Sequence, residues 1–97
     1  MTEHQQDDEE QQFWDLVDRF VIVANDASDD MPTSTVSSAL LYAAARFNAF
    51  IASAEAQSAE QLKSQRSGAV DFFSGQYKGM LAENLDDYID NFASDKD

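Results

Sequence analysis

The sequence predicts an all-α protein, an antiparallel three-helix bundle that dimerises into a larger helical assembly. Three observations support this fold class. Apolar residues recur at spacings of three and four in three segments, as on one face of a helix. Turn-forming residues separate these segments, and the central one, 36–56, is apolar around more of its circumference than a surface helix needs. The predicted helices cover about residues 10–27, 34–56 and 58–92.

The first predicted helix has one broad apolar face, with acidic residues opposite. It ends in the stretch 26–35, where Asp, Ser and Asn favour turns and Pro32 disfavours helix at the residue before it. Its apolar face consists of Phe13, Leu16, Val17, Phe20, Val21, Val23 and Ala24. The helix is therefore expected to pack on one side.

The second predicted helix has two apolar faces of different character. One carries large side chains and is expected to form the core of the chain: Val36, Leu40, Phe47 and Phe50. The other carries mostly small side chains, which let a second backbone approach closely: Leu41, Ala45, Ala49 and Ala52. This second face predicts contact with another chain.

The third predicted helix starts at a capping box, because Ser58 and Gln61 have the required spacing. Whether the helix is interrupted around Ser64–Gly68 is left open, since Gly68, Gly75 and Gly79 weaken it. From residue 70 onward its apolar positions resemble a coiled-coil seam: Val70, Phe73, Tyr77, Met80, Leu81, Leu85, Tyr88 and Phe92.

Length and composition predict one helical domain, residues 10–92, between a disordered acidic tail, 1–9, and a frayed C-terminal tail, 93–97. The 97-residue chain has no cysteine, which excludes disulfides and thiolate metal sites. Neither a secretory signal nor a membrane span is recognisable, so we expect a cytoplasmic protein.

The chain is strongly acidic, with a net charge of −13. This charge argues against direct binding to nucleic acid or anionic membranes. Antiparallel helices would gather acidic residues at one pole of the bundle. The favoured interpretation of this pole is solvated helix ends, followed by a site for a basic protein partner and, last, by a metal site. The acidic pole comprises Asp26, Asp29, Asp30, Glu83, Asp86, Asp87 and Asp90.

Residues with catalytic or ligand-binding chemistry are scarce. His4 is the single histidine, the acids lack the spacing of a calcium-binding loop, and no serine sits in a nucleophile elbow. We therefore expect no catalytic, cofactor-binding or metal-binding residues, and no enzyme.

Several residues are candidates for protein interaction. Tyr42 and Arg46 share one helical edge, and a guanidinium there is expected to pair with Asp18 or Asp71. Ile22 and Phe72 lie off the core faces and, with the alanine-rich face, suggest more apolar surface than one chain can cover. The candidate interaction residues are Ile22, Leu41, Tyr42, Ala45, Arg46, Ala49, Ala52 and Phe72. They predict self-association, most simply as a symmetric dimer.

Two motifs, LYAAARFNAF at residues 41–50 preceded by Leu40, and ENLDDY at 83–88, carry a resemblance to a known family. With Phe13-Trp14 and Ala24-Asn25, they resemble a family of small, mainly proteobacterial proteins of unknown function. The resemblance spans about residues 13–92 and implies an uncharacterised cytoplasmic bacterial protein, without an activity or a cofactor.

Two functions remain open from the sequence. The first is a non-enzymatic protein–protein interaction or regulatory module that self-associates and uses its acidic pole or the Tyr42/Arg46 edge to engage another protein, such as a basic one. The alternative is an acidic mimic of nucleic acid that occupies the basic groove of a DNA-binding protein. The mimic requires carboxylates spaced along an extended surface like phosphates, whereas the module requires one patch.

Overall fold

The computed structural model describes the backbone of residues 2–96 and the side chains of residues 8–92. It contains three helices: α1 (Thr2–Ala27), α2 (Thr33–Glu55) and α3 (Ala59–Lys96). The described residues form no strand. The predicted all-α class with three helices is therefore confirmed.

Helix α1 is longer than the sequence pattern predicted, since it begins at Thr2 instead of near Glu10. Residues 2–9 contain neither glycine nor proline, so nothing in their covalent structure stops the helix. The apolar pattern that we used to predict the helix starts only at Phe13. Periodicity located the amphipathic part of the helix and missed its polar first turns.

Ser28 closes α1. Its backbone N–H and its hydroxyl both donate to the carbonyl oxygen of Ala24, each at 3.0 Å. The N–H of Met31 donates to the Ala27 oxygen at 3.1 Å, and the N–H of Val36 donates to the Pro32 oxygen at 3.2 Å. These bonds satisfy backbone groups at the end of α1 and the start of α2.

Half of the predicted capping box is present at the start of α3, because the Gln61 side chain bonds back to the N–H of Gln57 instead of that of Ser58. The backbone N–H of Gln61 donates to the Ser58 hydroxyl at 3.0 Å, while the Gln61 side chain accepts from the N–H of Gln57 at 2.6 Å. The sequence left open whether the third helix is interrupted around Ser64–Gly68, and in the structure α3 continues through these residues. There the Ser64 hydroxyl donates to the Gln61 carbonyl at 2.7 Å.

The chain divides into two units, and the boundary falls inside α2. Unit 1 is Met1–Arg46, which combines α1 with the first part of α2. Unit 2 is Phe47–Asp97, which combines the last part of α2 with α3. The sequence predicted one domain over residues 10–92 with a tail on either side, and these domain boundaries stay a prediction.

Burial in unit 1 is concentrated near the connection between its helices. Val36, in the first turn of α2, is buried with 9% of its surface accessible. Half-buried residues occur in α1 and directly after it: Val17, Ala24, Ala27 and Ser28.

Burial in unit 2 likewise stays close to its connection. The half-buried residues are Asn48, Ala52, Ala56, Leu62, Ala69 and Phe73. After Phe73, every residue from Ser74 to Phe92 is exposed. The packed part of unit 2 therefore ends about 15 residues into α3.

The two faces of α2 do not differ in exposure as the sequence suggested. On the predicted core face Leu40 is 43% and Phe47 61% exposed, while Leu41 on the opposite face is 51% exposed. Each unit contains a single pair of helical segments, and one such contact covers only one side of each helix. The expected contrast between a buried face and an exposed face of α2 was wrong.

Candidate interaction surfaces

Unit 2 contains an open cleft of about 480 Å³ between the end of α2 and the first half of α3. Alanine and glycine on its walls leave space, and a Cβ added at Gly68 would meet no atom of the described chain within 4 Å apart from its own turns of helix backbone. The lining residues are Ile51, Ala52, Glu55, Leu62, Gln65, Gly68, Ala69, Phe72 and Phe73.

The chemistry of this cleft is that of an apolar recess. Its volume lies in the range of small-molecule sites, but such sites also carry several convergent polar groups. Among the lining residues only Glu55 is ionisable and only Gln65 adds a polar side chain. A single carboxylate without a partner acid, base or cation does not form a catalytic pair.

Two of the predicted interaction residues meet at the cleft. Ala52 is half-buried and Phe72 is exposed, and both line the recess. The Phe72 and Phe73 rings lie edge to face, with centroids 5.2 Å apart. Ala52, assigned to a face for a second chain, therefore lies against α3 of its own chain, whereas Ala49 is exposed.

Unit 1 holds the remaining predicted interaction residues, all of them exposed: Ile22, Leu41, Tyr42, Ala45 and Arg46. The Arg46 guanidinium lies 5.3 Å from the centroid of the Tyr42 ring. A cation–π contact at such an exposed site contributes about 0.5–1 kcal/mol. Because Arg46 is exposed, its charge does not need the buried carboxylate partner that the sequence suggested.

The predicted acidic pole draws on both units. Asp26, Asp29 and Asp30 belong to unit 1, and the other four acids belong to α3 in unit 2. All seven side chains are exposed. Their meeting at one pole stays a prediction. Within the residues whose side chains are described, no three His, Cys, Asp or Glu groups come close enough to hold a metal ion.

The second half of α3 is a surface that the candidate interaction residues did not include. The sequence predicts a coiled-coil-like seam there, and its large apolar residues are exposed: Tyr77, Met80, Leu81, Leu85, Tyr88, Ile89 and Phe92. Helix length was the available signal, because the predicted third helix is much longer than the second. A helix of 38 residues cannot be covered along its length by one of 23.

No helix in the described part of the chain has a stretch long and apolar enough to cross a membrane. Curated proteins provide no match to this sequence. Among solved structures, the chain is similar to the NMR structure of the protein NB7890A from Shewanella sp.. The two are 30% identical, the match covers 82% of this chain and 85% of that one, and the TM-score is 0.74, which is consistent with the predicted helical-bundle class.

Residues 13–89 match the family described as "Protein of unknown function (DUF3144)". This range contains both motifs that carried the resemblance to a family of unknown function. With most of its length matched, the chain belongs to this family.

Proposed function

We propose that this protein is a non-enzymatic helical interaction module that self-associates, so that exposed apolar helix faces of one copy are covered by another. It is proposed to act in the cytoplasm, a reducing compartment that suits a chain without cysteine. The single observation that carries this proposal is the exposure of large apolar side chains along all three helices.

The extent of this exposure exceeds what a monomeric helical protein needs. Twenty-three large apolar residues are exposed, whereas Val36 is the one apolar residue classed as buried among the described side chains. Single exposed apolar residues are ordinary, but contiguous apolar patches mark interaction sites. On α3 they recur at helical spacing, as in helices that pack against another helix.

The acidic charge narrows the class of partner. With a net charge of −13, the chain repels nucleic acid and anionic membrane surfaces. Once nucleic acid and anionic membranes are set aside, the large partner that can cover apolar helix faces is another protein surface. A second copy of this chain is the simplest such partner, because symmetric dimers are the commonest oligomers. The cleft in unit 2 adds no convergent set of polar groups that would favour a metabolite.

Sedimentation equilibrium tests this proposal. Between about 1 and about 100 μM protein, we expect the mass to rise from the 10.8 kDa of one chain toward twice that value. Runs at two ionic strengths would show whether charge repulsion hides the association. A strictly monomeric protein at about 100 μM and at both ionic strengths would overturn the proposal.

A further inference from the structure

The exposed seam of α3 reads nearly the same in both directions. From its centre outward, leucine is followed by tyrosine and then phenylalanine on either side: Leu81, Tyr77 and Phe73 toward the N-terminus, and Leu85, Tyr88 and Phe92 toward the C-terminus. Spacings of three and four are common to all helical seams. The matching order of residue types is an additional feature, and it makes this face complementary to an antiparallel copy of itself.

Unit 2 offers no cover for this seam beyond Phe73. The part of α2 in unit 2, Phe47–Glu55, is about 14 Å long at 1.5 Å per residue, whereas α3 is about 57 Å long. The nine α2 residues reach only the first half of α3, where they form the cleft. From Ser74 to Phe92 all residues are exposed, with Tyr88 at 65%.

Three of the four acids of this half of α3 lie on the side opposite the seam, and the fourth, Asp87, lies at the edge of the seam, about 100° from its centre. At about 100° per residue, Tyr77, Leu81 and Tyr88 fall within about 40° of one another. Glu83, Asp86 and Asp90 fall together on the other side, about 170° away. A second helix could therefore cover the seam without burying these carboxylates, which would remain in water.

We infer that α3 of one chain pairs antiparallel with α3 of a second copy, about a twofold axis that crosses the helices between Ala82 and Glu83. This inference rests on the proposed self-association and names its surface. In this register Tyr77 faces Tyr88 of the partner subunit, and Phe73 faces Phe92 of the partner subunit. Met80 faces Leu85 of the partner subunit, and Leu81 lies one residue away from the partner's Leu85 along the helix axes. Each contact occurs twice, as twofold symmetry requires.

The apolar area available is close to what a stable dimer needs. An aromatic side chain buries about 150–250 Å² when it is fully covered, and the three aromatic residues of this half are exposed by about half to two-thirds. With Met80, Leu81 and Leu85, the surface offered is on the order of 600 Å² per chain. Standard interfaces bury about 800 Å² per partner.

Spin labels at two single cysteines test the pairing and its direction, and the absence of native cysteine makes the labelling specific. In the antiparallel register, labels on Asn84→Cys lie about 5 Å apart along the helix axes, and labels on Ser64→Cys lie about 55 Å apart. Because Asn84 lies within the seam, sedimentation of the labelled variant first checks that it still dimerises. Parallel pairing would bring both pairs to about the 10 Å that separates packed helices. We expect a short distance at 84 together with a long distance at 64.

Two glutamate substitutions provide a matched control. Leu85→Glu places a charge in the seam, and we expect it to weaken dimerisation by at least about 100-fold, the equivalent of burying an unpaired charge. Ala82→Glu adds the same charge three residues earlier, on the side away from the seam, and should leave the dissociation constant within about threefold. Circular dichroism of both variants checks that the helices persist. Equal dissociation constants for the two variants would overturn the inference.

The results separate this inference from the proposed function. A monomer in sedimentation contradicts both. A dimer whose labels at 84 lie far apart, or whose labels at 64 lie close together, contradicts antiparallel α3 pairing and leaves self-association in place through another face. Only a dimer with a short distance at 84 and a long one at 64 supports the inference.

Discussion

The two halves of α3 have a similar apolar character but different surroundings. In the first half, Leu62, Ala69 and Phe73 are half-buried beside the end of α2. In the second half, Ser74–Phe92, no residue is even half-buried, although it carries two tyrosines, a phenylalanine and four large aliphatic residues. Burial on this helix therefore follows the reach of the neighbouring helix, and apolar sequence beyond that reach is available to a partner.

Truncating one aromatic residue in each half should produce the largest contrast. We expect Phe73→Ala to lower the free energy of unfolding by about 2 kcal/mol, roughly half the cost at a fully buried site. Tyr88→Ala, an exposed site in the monomer, should change it by less than about 0.5 kcal/mol. Urea denaturation at about 1 μM, where a weak dimer dissociates, measures both values. Equal losses would show that the two halves are packed alike.

Val36→Ala tests the small core of unit 1 and should have the next largest effect. It removes two methyl groups from the buried residue of the described chain, so we expect a loss of about 1–2 kcal/mol. Val70→Ala is the matched control. Because Val70 is 51% exposed, this substitution should lower the free energy of unfolding much less. The difference in urea midpoint between these variants reports whether unit 1 has its own core.

Ser58→Ala tests the start of the packed half of α3. The substitution removes the hydroxyl that accepts from the Gln61 N–H, and we expect a loss of about 1 kcal/mol. Ser67→Ala, at an exposed position within the helix, is the control and should be neutral or slightly stabilising. If both variants had the same midpoint of thermal unfolding, the capping bond would not be stabilising α3.

Gly75→Ala tests which face of α3 is used. A Cβ at Gly75 would meet no atom of the described chain within 4 Å apart from its own turns of helix backbone, and alanine favours a helix by up to about 1 kcal/mol. Because Gly75 lies about 140° away from the seam, we expect higher helix stability and an unchanged dimer affinity. A variant that is more helical but dimerises more weakly would place the interface on the glycine side.

Ionic strength should have the smallest effect. Two chains of charge −13 repel each other, so raising salt from about 0.05 to about 0.5 M should tighten self-association a few-fold. Binding to a basic protein would weaken over the same range, and steeply so for a mimic of nucleic acid. Sedimentation of this protein alone, and mixed with a basic protein such as a histone, distinguishes self-association from binding to a basic partner.

The sequence predicts the helices better than it predicts their burial. Apolar periodicity together with turn-forming and capping residues located the end of α1, both ends of α2 to within one residue, and the Ser58 cap of α3. It placed the start of α1 eight residues too late, since a polar helical segment carries no such periodicity. Capping and periodicity are local properties of the chain, which is why they could be predicted.

Burial depends on which helix lies beside which, and periodicity does not specify the neighbour. The predicted core residues Leu40 and Phe47 are exposed, and Ala52, assigned to an outer face, lies in the cleft of unit 2 with Phe72. Arg46 lies over the ring of Tyr42, four residues earlier on the same helix. A spacing of four residues permits this contact but does not require it. The candidate site was therefore only partly predictable.

Hydrogen exchange of the α3 backbone amides at low and high protein concentration tests whether a second copy covers the second half of α3. We expect protection within Ser74–Phe92 to rise several-fold between about 1 and about 100 μM, while protection within Ala59–Phe73 stays constant. Protection of both halves that does not depend on concentration would contradict the claim that a second copy covers the exposed half of α3.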